Sequence, residues 1–173
     1  MQHNKFLEVH KNCKMVFSKI KILDFDGNYK NLLLQEKINK NELSYEDFFY
    51  DRSLNPILNL SSCTIRSKYL KKLPNSFFEF RFSEICLALY LLNYGNIGYI
   101  NNELSVYRIH KNSSWNGLSD LEKKYSAYKI RKIAKNFLTD KYLNKIEEII
   151  KEDYISDKEF VEYLKTKEKE KEL

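Results

Sequence analysis

The chain of 173 residues is one domain by length, with 43% apolar and 14% aromatic residues and only four Gly and two Pro. Such a composition supports a packed core and excludes a disordered chain, a propeller and a Pro-rich linker. The net charge of +6 and pI near 9.0 point toward anionic partners, yet 25 of the 30 basic residues are Lys, and Lys interleaved with Glu describes a solvated surface equally well.

Cys13, Cys63 and Cys86 are far apart and form no Cys-x-x-Cys pair, which suits reduced thiols better than a disulfide framework or a zinc site. The start, Met-Gln-His-Asn-Lys, lacks the apolar stretch of a secretion signal. The longest apolar run, residues 85–92, is far below the ~20 residues of a membrane span. The expectation is a cytoplasmic protein, at most peripheral at the inner face of the membrane.

Taken along the chain, residues 6–10 read as the end of a helix and residues 15–23 alternate as a half-buried strand. Asp26-Gly27-Asn28 marks a turn, and residues 29–34 read as a return strand. Ser44 and Asp47 frame a helix start. Residues 63–65 suit a buried strand, and 67–72 a short helix stopped by Pro74. Ser83 precedes a helix over 84–93 that is apolar almost all round, with Gly95 at the position of a C-terminal capping glycine. Residues 97–100 and 104–107, separated by Asn101-Asn102, predict a strand pair with a tight turn. Beyond Gly117, Ser119-x-x-Glu122 is a capping box. Helical periods continue through 142–150 and 158–164 to a Lys-Glu tail expected to fray after Thr166. The expected organisation is an α/β unit over residues 1–117 followed by a helical extension over 118–173.

Several constellations could carry chemistry. Asp24-Phe25-Asp26-Gly27-Asn28 resembles a cation loop, but its sixth and twelfth positions would be Tyr29 and Gln35 instead of Gly and Glu, so a hairpin turn is the better account. Glu84 falls in the first turn of the apolar helix, where the macrodipole favours a carboxylate. It could act as a general base or serve only the helix. Tyr107-Arg108-Ile109-His110 follows a strand. Arg108 could hold a phosphate, and His110 could ligate a metal or contact a diphosphate; alternatively, both are ordinary surface residues.

In their order and spacing these segments resemble the C-terminal part of a family 2 glycosyltransferase of the inverting GT-A type. The resemblance covers about residues 5–116 and rests on Asn55-Pro56-Ile57, Ser61-Ser62-Cys63-Thr64-Ile65-Arg66, Glu84 with its apolar helix and Gly95, Tyr107-Arg108-Ile109-His110, and Ser113-Ser114-Trp115. It implies an incomplete GT-A, Rossmann-like sheet with packed helices. It also implies transfer of a sugar from a nucleotide-sugar donor to a glycan or lipid-linked acceptor hydroxyl with inversion, as in cell-surface polysaccharide synthesis. By that resemblance Glu84 is the catalytic base and Arg108 and His110 serve the leaving diphosphate, His110 also as a metal ligand. Ser61, Ser62, Arg66 and Trp115 lie on the acceptor side. A divalent cation, Mn or Mg, is the implied cofactor. The family's nucleotide-binding half and its Asp-x-Asp motif would fall before Phe6, so a separate chain carrying that half is an implied partner, and nucleic acid is not. Glu84 departs from the more usual Asp. The competing reading is a non-catalytic sugar- or partner-binding remnant; a basic RNA-binding domain ranks below both, for want of a ribonucleoprotein motif.

Overall fold

The structure, a computed structural model, describes residues 2–49, 55–80, 82–110 and 115–170. It is α/β, with five strands in one mixed sheet and eight α-helices among the described residues. In chain order these are α1 (Gln2–Val9), β1 (Met15–Leu23), β2 (Tyr29–Asn31), α2 (Leu33–Glu36), β3 (Glu42–Leu43), α3 (Tyr45–Phe49), β4 (Cys63–Ile65), α4 (Ser67–Leu70), α5 (Glu84–Leu92), β5 (Ile97–Arg108), α6 (Asp120–Ala134), α7 (Asp140–Ile150) and α8 (Lys158–Lys169).

β1 is the centre of the sheet. β5 runs parallel to it from Met15↔Ile97 to Leu23↔Arg108, while β4 and β2 pair antiparallel with its first and last three residues, and β3 pairs with the start of β5. The alternation of residues 15–23 predicts a half-buried strand, but Met15, Val16, Phe17 and Ser18 are all buried. Both faces are covered there. Met15 and Phe17 join the main core with α5, whereas Val16 meets Leu7 and Phe6 of α1. Period-2 polarity cannot register a strand sandwiched between helices at one end only.

The expected strand pair at residues 97–107 does not form. β5 is one strand of twelve residues, and Asn101-Asn102 are accommodated where its register with β1 shifts around Lys19. A continuous parallel partner on β1 outweighs the local turn preference of two Asn residues. Glu103 lies beside the shift and pairs with Lys21 at 3.3 Å. The register irregularity also redirects a backbone group: the Ile20 amide donates to Gln35 Oε1 at 2.8 Å, and Gln35 Nε2 donates to the Pro56 carbonyl at 2.7 Å. Gln35 is buried, so one side-chain amide satisfies a donor and an acceptor that would otherwise be orphaned.

The return strand expected over residues 29–34 stops at Asn31, because Leu33 begins the short helix that places Gln35. Gly95 does not cap α5 in the left-handed conformation. Its φ is +157, and a Cβ there would sit 2.2 Å from the Asn12 carbonyl oxygen, so close backbone approach is what requires glycine. The Asp24 turn is as expected, with Asp24 Oδ1 accepting from the Asp26 and Asn28 amides.

The C-terminal helices share the main core. Ile133 and Ala134 of α6 and Ile146 of α7 belong to it, and Phe137 stacks on Phe77 at 5.1 Å. The capping box opens α6, with Ser119 and Glu122 exchanging side-chain and backbone hydrogen bonds. A π-helical turn, Lys151–Ile155, leads from α7 toward α8. α8 is N-capped by Asp157 and continues to Lys169, past the expected fraying point. A second, smaller cluster of Ile149, Tyr154, Phe160 and Leu164 holds α8 in place. No helix among the described residues is long and apolar enough to cross a membrane.

Two stability predictions follow from these tethers. Gln35→Leu leaves the Ile20 amide and the Pro56 carbonyl buried without partners and is expected to cost about 2–5 kcal/mol, measured by urea denaturation. The second concerns Glu46 of α3, which accepts hydrogen bonds from Lys141 and Tyr142 of α7, both at 2.5 Å. Lys141 first, then Tyr142, hold its carboxyl down from 4.5 to about 2. A depressed carboxylate contributes in full above its unfolded value and is lost as pH falls through its folded value. Glu46→Gln is therefore expected to flatten the pH dependence of the thermal midpoint between pH 4.5 and about 2. Because the pair is exposed, the difference from the unmodified protein should shrink in high salt.

Candidate functional site

A cavity of about 480 Å³ opens between the segment 55–60, the first half of α5, the end of β5 and the inward faces of α6 and α7. Its exposure is graded. Phe82 (37%) and Trp115 (39%) stand at the rim, whereas Phe48 (2%), Leu89 (5%), Ile146 (1%) and Ile149 (1%) form the floor. The volume is that of a small-molecule site.

Glu84 lies on the wall of this cavity, in the first turn of α5. Ser83 takes the extended N-cap backbone but makes no side-chain cap bond, and its side chain lines the cavity beside Glu84. The carboxylate thus sits at the positive end of a helix whose remaining turns are buried, a location that favours negative charge. Asn55 holds it: Nδ2 donates to Glu84 Oε1 at 2.5 Å, while Oδ1 accepts the Leu58 amide at 2.9 Å. Those two bonds together fix which way the amide faces.

The Leu58 bond matters because Leu58 has φ +59, a left-handed conformation that costs a non-glycine residue roughly 1–2 kcal/mol. Asn55 therefore stabilises the bend that delivers Leu58, Asn59 and Leu60 to the cavity wall. Pro56, next to Asn55, is the residue gripped by Gln35. A chain of hydrogen bonds accordingly runs from the register shift on β1 to the Glu84 carboxylate.

The sequence-derived candidates divide. Glu84 and Trp115 line the cavity, and so does Tyr107 from the motif at the end of β5. Arg108, the next residue along the strand, is exposed and lies outside the lining, as does the exposed His110; successive strand residues face opposite sides of a sheet. Ser61 is exposed, with its amide capped by Asn59 Oδ1 at 2.8 Å. Ser62 is buried and donates to the Asn59 carbonyl at 2.7 Å. Arg66 is a structural tie. Its Nε donates to the Cys13 carbonyl at 2.9 Å and its Nη2 to the Leu7 carbonyl, satisfying an acceptor at the end of α1. Neither Ser nor Arg66 reaches the cavity. Ser113 and Ser114 lie outside the described residues.

Several polar lining residues, Asn55 and Arg131 among them, are not among the site residues named from sequence. Asn55 carries a usable signal, an Asn before Pro ahead of an apolar segment, but its partner is 29 positions away. Arg131 sits in a Lys-rich helical stretch and looks like solvated surface. In the structure its Nη1 donates to the Ala127 carbonyl at 3.3 Å and its guanidinium lies over the Tyr154 ring at 5.3 Å. Cys63 and Cys86 both lie in low-polarity surroundings. Burial pushes each thiol up to about 12, and the Glu84 charge adds to the effect at Cys63.

Among the described residues no group of three or more His, Cys, Asp or Glu side chains could hold a metal ion. His110 belongs to no such group. Comparison with protein-family models, curated proteins and solved structures finds no match for the chain.

The Asn55 relay is open to direct test. Asn55→Leu removes both bonds and is expected to destabilise the protein by about 1–3 kcal/mol in chemical denaturation. Because Trp115 is the single Trp and lines the cavity, the same variant should shift its native-state emission.

Proposed function

We propose that this chain carries the acceptor side of an inverting glycosyl-transfer site of the family 2, GT-A type. The observation that carries the reading is Glu84, a carboxylate in the first turn of a buried helix, held by Asn55 on the wall of an aromatic-rimmed cavity. The mixed sheet, with its long parallel β1–β5 pair, is compatible with a Rossmann-like arrangement, and the sequence resemblance supplies the finer GT-A assignment.

In the proposed reaction an acceptor enters past Trp115 and Phe82, whose rings suit the apolar face of a sugar or an aglycone. Its hydroxyl approaches Glu84. As the hydroxyl oxygen bonds to the anomeric carbon of a nucleotide sugar, the bond from that carbon to the diphosphate oxygen breaks and the configuration inverts. The hydroxyl proton passes to the Glu84 carboxylate, which acts as general base. Asn55 keeps one carboxylate oxygen occupied, so the other is directed at the acceptor.

A second reading has its own support. Tyr107, Trp115 and Phe82 line the cavity while Arg108 and His110 do not, an arrangement that serves a saccharide-binding module as well as a transferase.

The test is transfer from labelled nucleotide sugars to a saccharide acceptor panel, with and without Mn²⁺ or Mg²⁺, using this chain together with its nucleotide-binding half. Glu84→Gln is expected to lower turnover by about 10²–10⁴-fold while saccharide binding, read from Trp115 emission, stays within about twofold. Unchanged turnover in the variant would overturn the base assignment. Saccharide binding without any transfer would favour the binding module.

A further inference from the structure

We infer that the acceptor is an amphiphilic alcohol, a hydroxyl compound carrying an alkyl or aryl body, and that the C-terminal helices build the apolar slot that selects it. This rests on the proposed acceptor role of the cavity and specifies its substrate class.

Three polar residues of the wall lie at the Glu84 end of α5. Asn55, Ser83 and Glu84 come from the segment 55–60 and the N-terminal turn of α5. Further along α5 the lining becomes Ile85 and then Leu89, five residues beyond Glu84 and so about 7 Å further along the helix axis. Opposite stand Ala127 and Ile130 of α6 and Ile146 and Ile149 of α7. At the floor Phe48, Leu89, Ile146 and Ile149 are no more than 5% exposed, and none of them offers a hydrogen-bonding side chain.

A sugar ring pushed to that depth would bury hydroxyls without partners, at a cost of roughly 1–3 kcal/mol for each. An alkyl or aryl body meets no such penalty and gains from each carbon removed from water. The level of the carboxylate then fixes the orientation, with the hydroxyl at Glu84, the apolar body toward Ile146 and Ile149, and any polar remainder at the Trp115 rim. Arg131 also lines the cavity, with its guanidinium engaged by the Ala127 carbonyl and the Tyr154 ring. The slot also exists only because α6 and α7 pack on α5, which gives the helical segment a role at the site itself.

The experiment follows Trp115 emission while the protein is titrated with methyl, butyl, hexyl and octyl β-glucosides below their micelle-forming concentrations, with phenyl glucoside as the aryl arm and 1-octanol as the alcohol without sugar. Affinity is expected to rise roughly threefold to fourfold per methylene until the slot is filled. Ala127→Phe, at a partly exposed position in the cavity lining, should abolish that dependence. Equal affinity across the series, or a series unaffected by Ala127→Phe, would overturn the inference. The glycosyl-transfer reading fails separately. Chain-length dependence with a Glu84→Gln variant of unchanged turnover leaves the slot and removes the base. A flat series with Glu84-dependent transfer removes the slot and leaves the base.

Discussion

The site depends on a single buried amide. Gln35 accepts from Ile20 at the point where β1 and β5 slip out of register, and it donates to Pro56. A central strand flanked on both edges has few ways to absorb extra residues in its partner, and each way exposes a backbone group that must be satisfied inside the protein. Here the satisfying group comes from a four-residue helix and reaches across to the loop that holds Asn55. The irregularity in the sheet and the placement of the carboxylate are therefore one constraint. Removing the amide would disturb both, since a half-satisfied polar network in the interior is worse than none.

Around that constraint the cavity is assembled from distant parts of the chain. α5 supplies a helix buried on nearly every side, so its first turn is rigidly placed. Tyr45 anchors the middle and end of α5, donating to the Leu89 carbonyl at 2.9 Å and to Asn93 Oδ1 at 2.6 Å. Asn93 in turn donates to the Phe137 carbonyl at 3.0 Å, which ties the C-terminal helices to the same axis. Phe77, Tyr90 and Phe137 meet edge-on and stacked in that region. A ligand between α5, α6 and α7 would thus contact walls joined to one another by side-chain hydrogen bonds and aromatic packing.

Local physics made much of this readable in the sequence. The Ser119–Glu122 box, the Asp24 turn and the all-round apolar character of residues 85–92 each report on neighbours within a few positions, and each corresponds to an element of the structure. Glu84 could be singled out because it opens such a helix, whereas Trp115 is named only through the family resemblance. Other features depend on partners far along the chain. Arg66 looked like a strand-end cation free to meet a ligand, yet its acceptors are carbonyls 53 and 59 positions away. Asn101-Asn102 looked like a turn until the parallel strand beside them is considered. The alternation of β1 concealed a strand covered on both faces, and Arg131 showed nothing of its position because α6 is basic on several sides.

Ile149 belongs at once to the cavity floor and to the small cluster formed with Tyr154, Phe160 and Leu164. That cluster also contains the π-helical turn, and α8 is secured through it and through the Lys124–Asp157 ion pair. Cooperative units with little buried apolar surface open most readily, well before global unfolding. The cavity lining at Ile149 is thus backed by the cluster that seats α8. The cavity and the seat of α8 therefore share a side chain, and a change at Ile149 reaches both.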